Sequence, residues 1–565
     1  MFKKYVIGLV LSAIGLTISI LICSQASAEM ETSVLWGVYE TEIDYKNIAG
    51  KQHPYDEPFY EIELGVYFTS PSGRRIAWRG FYDGDGLGSQ NGNVWKIRFM
   101  PDELGLWKHS WNFSDGSLSG EGSFQVIDNP GNPAMPGPLK HDPNIHQWLL
   151  TSDGTRHVFP NMYSRWNSTE KLPYTDPNRA ISEAKDNGFD VLALWSTVYF
   201  KNLPMDAENP MIFIDTIFYK PRLMGWHLFE DGILKAAHYQ KIYLYDWDGF
   251  YSGNNLYDLH KRPISFQNKV IKYWLARTAA YYNLLYNIGF ELPEYVDVPS
   301  WPKGRAAYVK SIDPWDHLIT AHELHDWSYG NSPEISFSAL QNDGISSEEG
   351  FIENIKAMIK NIIKYKKNPY YYRKLHGKSF HEVALLVWNS PSKPHPHCSE
   401  CIWNARWQEQ GTEASHRKDL WDGLMGGMSY FFYAKDNTIG LKAFRHANAF
   451  LKSGVQWWTL KPYGEIVVSG KAYVLAKIGV EYIAYSSSGS NFSLQLPAGD
   501  YQWRWFDPAQ GTYSAYISRS TNTGTKVFEK PDNNDWVLHI KMVSSHFPTD
   551  ATTKYGSVSN LDSAE

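Results

Sequence analysis

Cysteine is scarce: the 565-residue chain has three. Cys23 falls in an apolar N-terminal stretch, so a processed chain keeps Cys398 and Cys401. In an oxidising compartment that C-x-x-C pair is expected to close a small local disulfide rather than to act as a redox centre. His395 and His397 beside it permit a zinc reading, but the second ligand pair usual for a structural site is missing from any regular spacing. A dominant charge is missing too. The 54 basic and 60 acidic residues leave a net charge of −6, which gives no electrostatic footprint for nucleic acid. The balance also argues against a strongly anionic polymer as substrate, unless a local basic cleft overrides it. Past the N-terminus no apolar run is long enough to span a bilayer. No metal and no cofactor is expected.

Aromatic residues are abundant, at 15% with 23 Trp and 37 Tyr. Such side chains stack on the apolar faces of sugar rings, and they equally fill large β-sheet cores. Hydrophobic residues, at 43%, are ample for folding, and the length implies two or three domains. The N-terminus reads as a secretory leader. Lys3 and Lys4 precede the apolar stretch Val6 to Ile22, and Ala26-Ser27-Ala28 offers a cleavage site after Ala28. A lipoprotein attached at Cys23 is the alternative, and bulky Ile22 fits it poorly. A secreted or periplasmic protein is expected, without membrane contact once the leader is removed.

After the leader (1–28), residues 29–130 read as an antiparallel β-sandwich. Tyr60 to Val66 alternates at period two, with Tyr60, Ile62, Leu64 and Val66 on one face, and Arg75 to Arg79 is a second strand. The Pro- and Gly-rich run from Asn129 to Pro138 can hold neither ladder nor helix, and it opens a linker over 131–144. From 145 to 455, short buried runs alternate with helical stretches. The expected strands are His157 to Asn161, Asp190 to Leu194, Lys241 to Asp246, Leu284 to Phe290, Leu318 to His322, Ile335 to Leu340, Val383 to Trp388 and Met428 to Tyr433. Ile352, Ile355, Ile359, Ile362 and Ile363 mark one helix face, and Asp176-Pro177 opens another helix that Gly188 closes. Eight such units predict a closed (β/α)₈ TIM barrel. Residues 456–548 return to short strands, such as Val480 to Tyr485 and Tyr501 to Phe506, and read as a second β-sandwich. A polar tail, 549–565, follows.

In such a barrel, function sits just past the C-terminal ends of the strands. There the sequence offers Arg165 and Trp166, Trp195, Asp246-Trp247-Asp248, Glu291 and Glu294, His322-Glu323, Gln341, and Trp388. Glycoside cleavage needs one carboxylic acid to protonate the leaving oxygen and a second carboxylate across the ring. Glu291 is the expected acid, although a rim glutamate that merely pairs with Arg165 or His322 would look the same. Glu294 could replace it if the strand ends later. The partner is harder to find, because the run Val383 to Trp388 ends in Asn389-Ser390-Pro391 without a carboxylate. Glu400 is the chosen partner; Glu409, Glu413, Asp246, Asp248 and Glu323 remain alternatives. Asp246 and Asp248 share a strand face opposite Trp247, so a role in binding sugar hydroxyls suits them better than attack. Arg165, Trp166, Trp195, Trp247, His322, Glu323, Gln341 and Trp388 complete the expected carbohydrate-binding set.

These residues carry a resemblance. Trp78-Arg79-Gly80-Phe81-Tyr82-Asp83-Gly84-Asp85-Gly86, with Arg98-Phe99-Met100-Pro101-Asp102-Glu103-Leu104-Gly105-Leu106-Trp107, is similar to a β-sandwich domain of unknown function that precedes many glycosidase barrels. The central segment resembles a glycoside hydrolase family with a cellulase-like barrel, related to the apiosidase and clan-A enzymes. Val480 to Tyr485, Leu496 to Tyr501 and Trp505-Phe506-Asp507-Pro508 look like the so-called collagen-binding domain that commonly closes this architecture. The resemblance implies an acid/base Glu at the end of strand four, which matches Glu291, although Phe290 stands where an Asn usually precedes it. It implies a nucleophile Glu at the end of strand seven, where this reading finds Asn389 and Ser390. Arg417, Trp421 and Gly426-Gly427 agree with the approach to the eighth strand. The expectation is a secreted hydrolase of a polysaccharide or oligosaccharide. A barrel that only binds carbohydrate and a polysaccharide lyase are the alternatives.

Overall fold

A computed structural model describes residues 30–128, 135–164, 176–194, 213–215, 220–247, 249–250, 259–290, 292, 300–324, 330–341, 378–399, 412–433, 440–489 and 491–545. It is a multidomain chain with a parallel-stranded barrel between two antiparallel β-domains.

The N-terminal domain packs a five-stranded sheet, which contains Leu64–Thr69 and Arg75–Arg79, on a three-stranded sheet built around Val94–Phe99. Phe68 stacks on Phe99 at 3.8 Å and Tyr39 on Phe124 at 3.7 Å, joining the two inner faces. The expected strand from Tyr60 to Val66 is shorter than its alternation suggested. Pro58 starts a one-turn helix, Pro58–Glu61, because its fixed φ suits a first helical turn. The chain becomes extended only from Ile62, and Ile62, Leu64 and Val66 do face the core.

The barrel strands are Met162–Ser164, Val191–Leu194, Tyr243–Asp246, Leu284–Asn287, Ile319–Thr320 with His322–Leu324, Ala339–Gln341, His397–Ser399 and Ser429–Tyr433. All pair in parallel, and the first meets the eighth through Met162 and Phe431. The ladder breaks at Ala321, inside the fifth strand. Asp176 caps the helix Pro177–Asp186 by accepting from the Arg179 amide, and Gly188 follows at φ 76°.

Two expected strands are something else. His157–Val158 belongs to a small antiparallel sheet with Leu139–His141 and Leu149–Thr151, so the first barrel strand begins at Met162. That sheet closes the N-terminal end of the barrel: the Tyr243 hydroxyl donates to Gly137 O at 2.9 Å, and the His395 ring meets Gln147 O at 2.8 Å. Val383 to Trp388 lies in a helix, Phe380–Trp388. Ser379 and Glu382 form a reciprocal capping box there, and Phe380, Val383, Ala384 and Val387 are buried at helical spacing. The seventh strand is therefore His397–Ser399. The sixth, Ala339–Gln341, sits at the end of the run expected for it. The isoleucine-marked helix around 352–363 lies outside the described residues.

The C-terminal domain is a second sandwich. Phe492 meets Trp505, and Trp503 meets Phe528, between its two sheets at 5.9 and 5.5 Å. Among the described residues no helix is long and apolar enough to cross a membrane.

Candidate active site

The C-terminal end of the barrel is floored by aromatic rings. Strand alternation sends Tyr243, Tyr245 and Trp247 inward. Tyr245 reaches Phe337 at 5.7 Å and the His397 ring at 6.4 Å. Trp247 lies edge-on to Phe431 of the eighth strand at 4.1 Å, and it meets Phe290 and His322 at 5.6 Å each. Phe290 stacks on His322 at 4.8 Å. All four rings of this layer are buried, so the barrel is a packed core up to its rim.

The turns above strands three and four are locked together. The Asn287 carboxamide donates to Trp247 O at 2.6 Å and accepts from the Gly289 amide at 3.1 Å. Gly249 has φ 62°, and a Cβ there would lie 2.1 Å from Asn287 O, so only glycine fits. The fourth strand ends at Asn287, earlier than expected, yet Ile288 N still donates to Thr320 O and His322 N to Gly289 O. The backbone thus follows strand five as far as Gly289, and the stacked Phe290 ends the described run.

Below this floor runs a buried polar string. His395 Nδ1 lies 2.8 Å from Gln147 O, His395 Nε2 lies 3.0 Å from Ser429 Oγ, and His397 Nδ1 lies 2.8 Å from the same hydroxyl. Burial pushes the His395 ring down to about 4 and His397 well below its ordinary value, so both are neutral. A carbonyl only accepts, so His395 Nδ1 carries its proton and Ser429 donates to Nε2. His397 Nδ1 then donates to Ser429, which leaves His397 Nε2 a buried acceptor. Ser338 Oγ accepts from His397 N at 2.6 Å and ties strand six to strand seven. Sequence reading missed this string, whose only sequence signal was the histidine pair His395 and His397, for which a zinc reading had been weighed and set aside. Cys398 is disulfide-bonded, with its partner outside the described residues, so it offers no thiolate to a metal. Among the described residues no group of His, Cys, Asp or Glu could hold a metal ion.

The expected site residues do not all come together. Trp247 and His322 meet at the rim, and Gln341 closes the sixth strand in register with Leu324 and Ser399. Asp246 and Glu323 are buried on the strand faces opposite Trp247 and His322. Asp246 acts electrostatically on Tyr286, whose hydroxyl meets Thr278 of a surrounding helix. Alternation with inward Tyr245 and Trp247 gives Asp246 the other face of strand three. Trp388 is the clearest correction. Being helical, it lies at the opposite end of the barrel, edge-on to Trp148 at 4.8 Å and against Gly427 before the eighth strand. Glu413 begins the exposed first turn of the helix Glu413–Leu424. Arg165, Trp166, Trp195, Asp248, Glu291, Glu294, Glu400 and Glu409 lie outside the described residues.

Comparison with known proteins agrees with this architecture. Residues 33–114 match the model of a "Domain of unknown function (DUF5060)", and residues 464–541 match that of a "Putative collagen-binding domain of a collagenase". No curated protein matches the chain in sequence. Among solved structures, one described as "a putative glycoside hydrolase from Bacteroides vulgatus ATCC 8482" superposes with a TM-score of 0.67 at 16% identity, covering 91% of this chain and 100% of that one. A "glycoside hydrolase family 5" structure from the same organism gives 0.54 at 14% identity, over 73% of this chain and 95% of that one. A third, described as "Glycoside hydrolase", gives 0.53 at 14%, over 74% and 99%. The chain therefore shares its fold, over 91% of its length, with a solved protein described as a putative glycoside hydrolase.

Proposed function

We propose that the chain is a secreted glycoside hydrolase, with Glu291 as acid/base and Glu400 as the partner carboxylate. Fold alone does not set chemistry; the supporting observation is the corrected seventh strand. It ends at Ser399, and the next residue in sequence is Glu400. The resemblance to clan-A enzymes calls for a carboxylate there, and the departure at Asn389-Ser390 disappears once Val383 to Trp388 is helical. On the acid side, Glu291 follows Phe290, which stacks on rim residue His322.

In this reading Glu291 protonates the glycosidic oxygen while Glu400 attacks the anomeric carbon, breaking the C–O bond and forming a glycosyl ester. Glu291 then takes a proton from water, which cleaves the ester and regenerates both groups. The substrate is a polysaccharide or oligosaccharide, and the leader at residues 1–28 takes the protein to it. The test is hydrolysis of a glycan panel by wild type, Glu291→Gln and Glu400→Gln. Each variant should lose activity by about 10²–10⁴-fold while still binding the glycan. A wild type inert on every glycan it binds, or variants as active as wild type, would contradict the assignment.

A further inference from the structure

A cleft separates the N-terminal sandwich from the barrel helix Ile264–Thr278, lined by Tyr60, Glu63, Arg79, Lys269, Lys272 and Tyr273 among others. It is narrow, with a volume of about 40 Å³, and lies on the outer flank of the barrel, away from the strand ends. Three cations line it against one carboxylate, in a chain whose net charge is −6.

Arg79 is the unusual member. Its Nη1 is buried without a hydrogen-bond partner, and no ion pair reaches it among the described residues. Burial pushes its pKa down, yet a guanidinium does not give up its proton in a protein, so the cost of desolvation stands unless an anion offsets it. The neighbouring carboxylates are committed elsewhere. Glu63 pairs with Lys272 at 2.7 Å, and Asp313 holds the His317 ring and the Trp315 and His317 amides. The same junction leaves nothing open a few residues away, where Arg98 and Arg277 share Glu230. Lys269 and Lys272 stand one turn apart on the facing helix. Lys269 Nζ bonds Tyr60 O at 3.0 Å and, with three protons, has donors to spare.

We propose that this cleft is an oxyanion site that takes the carboxylate of an acidic saccharide, with Arg79 as its principal donor and Lys269 and Lys272 as supporting cations. The narrow cleft admits the carboxylate, while the sugar ring rests at the mouth beside half-buried Tyr60. The saccharide assignment rests on the glycosidase reading; the oxyanion chemistry rests on the cleft alone. The site would hold a uronate-bearing chain to the enzyme outside the barrel mouth.

Calorimetric titration of the whole protein tests this, using a hexuronate oligosaccharide, its carboxyl-reduced neutral counterpart and inorganic sulfate. The hexuronate should bind, the neutral form at least tenfold more weakly, and Arg79→Gln should lose about 10–100-fold in affinity, with Arg79→Lys intermediate. If Arg79→Gln fails to fold, Lys269→Gln with Lys272→Gln should still weaken the hexuronate severalfold. Equal binding of acid and neutral forms, or unchanged affinity in the variants, would overturn the site. Sulfate binding without hexuronate binding would overturn the saccharide assignment. Turnover by Arg79→Gln on a short neutral substrate should match wild type, so failure here is distinguishable from failure of the hydrolase reading, which silences wild type as well.

Discussion

The barrel meets its two flanking domains by different means. On the N-terminal side rings meet, Trp78 and Phe99 on Trp315 at 4.7 and 5.4 Å and Phe59 on Tyr273 at 5.6 Å, but a buried ionic network runs through the contact. Glu230 accepts Arg277 at 2.6 Å and Arg98 at 2.9 Å, Asp83 accepts Arg277 at 2.7 Å and Lys96 at 3.0 Å, and Arg98 also pairs with Glu40. Asp83, Lys96, Arg98 and Glu40 come from the sandwich, and Glu230 and Arg277 from barrel helices, so opposite charges from both domains interleave across the boundary. On the C-terminal side the contact is aromatic. Trp421 stacks on Tyr485 at 5.7 Å and meets Phe450 at 5.3 Å, and Phe450 meets Phe506 at 5.0 Å. One bidentate pair, Arg417 with Asp535 at 2.7 and 2.8 Å, joins it near the surface. Ring contacts tolerate small shifts, whereas a buried ionic network does not, because each group moved out of place is left desolvated and unpaired. The N-terminal sandwich is thus held in one orientation, as a cleft formed jointly with the barrel requires.

Removing one member of each junction separates the two mechanisms. Arg277→Met takes one of two cations from each of Glu230 and Asp83, leaving Arg98 and Lys96, and should cost about 3 kcal/mol, read by urea denaturation. Adding Glu230→Gln should restore part of that loss, whereas strict additivity would argue against a coupled network. Trp421→Ala should cost about 3 kcal/mol through lost burial and a cavity, and no partner substitution should rescue it.

The smallest effect is in pH dependence, where the junctions should have opposite signs. Burial alone would raise Glu230, but Arg277 and Arg98 hold its carboxyl down to about 2. A depressed acid stabilises above its ordinary pKa of 4.5 and loses that contribution as pH falls toward 2. On the C-terminal side, burial lifts Asp419 to about 7. A raised acid does the reverse: its contribution is complete below 3.8 and is lost as pH rises to about 7. Between pH 4 and 7 (about the interval between those two values), Asp419→Asn should therefore gain stability over wild type as pH rises. Parallel curves for the two proteins would refute this assignment.

Much of the architecture was legible because its signals were local. Asp176-Pro177 and Gly188 bracketed a helix, period-two runs marked both sandwiches, and the barrel strands two to five were found within a few residues. The errors arose where one sequence pattern serves two structures. Six apolar residues from Val383 to Trp388 suit a buried strand or a buried helix equally, and the capping box at Ser379 and Glu382 was the discriminating sign. The true seventh strand, His397–Ser399, is too short and too polar to show a period. Its inward His397 is kept neutral by burial and by the nearby His395 and His322, and it bonds a serine hydroxyl on the next strand, which only the fold brings near. Trp388 was misplaced by the same error.

The correction of strand seven makes Glu400 the centre of the account, and its role can be tested directly. Glu400→Ala should be inactive on an aryl glycoside of a sugar the wild type cleaves, and added azide should restore turnover by filling the vacated space and attacking the anomeric carbon. Recovery of a glycosyl azide from Glu400→Ala is the predicted result. Wild-type hydrolysis by Glu400→Ala without azide would contradict the central claim.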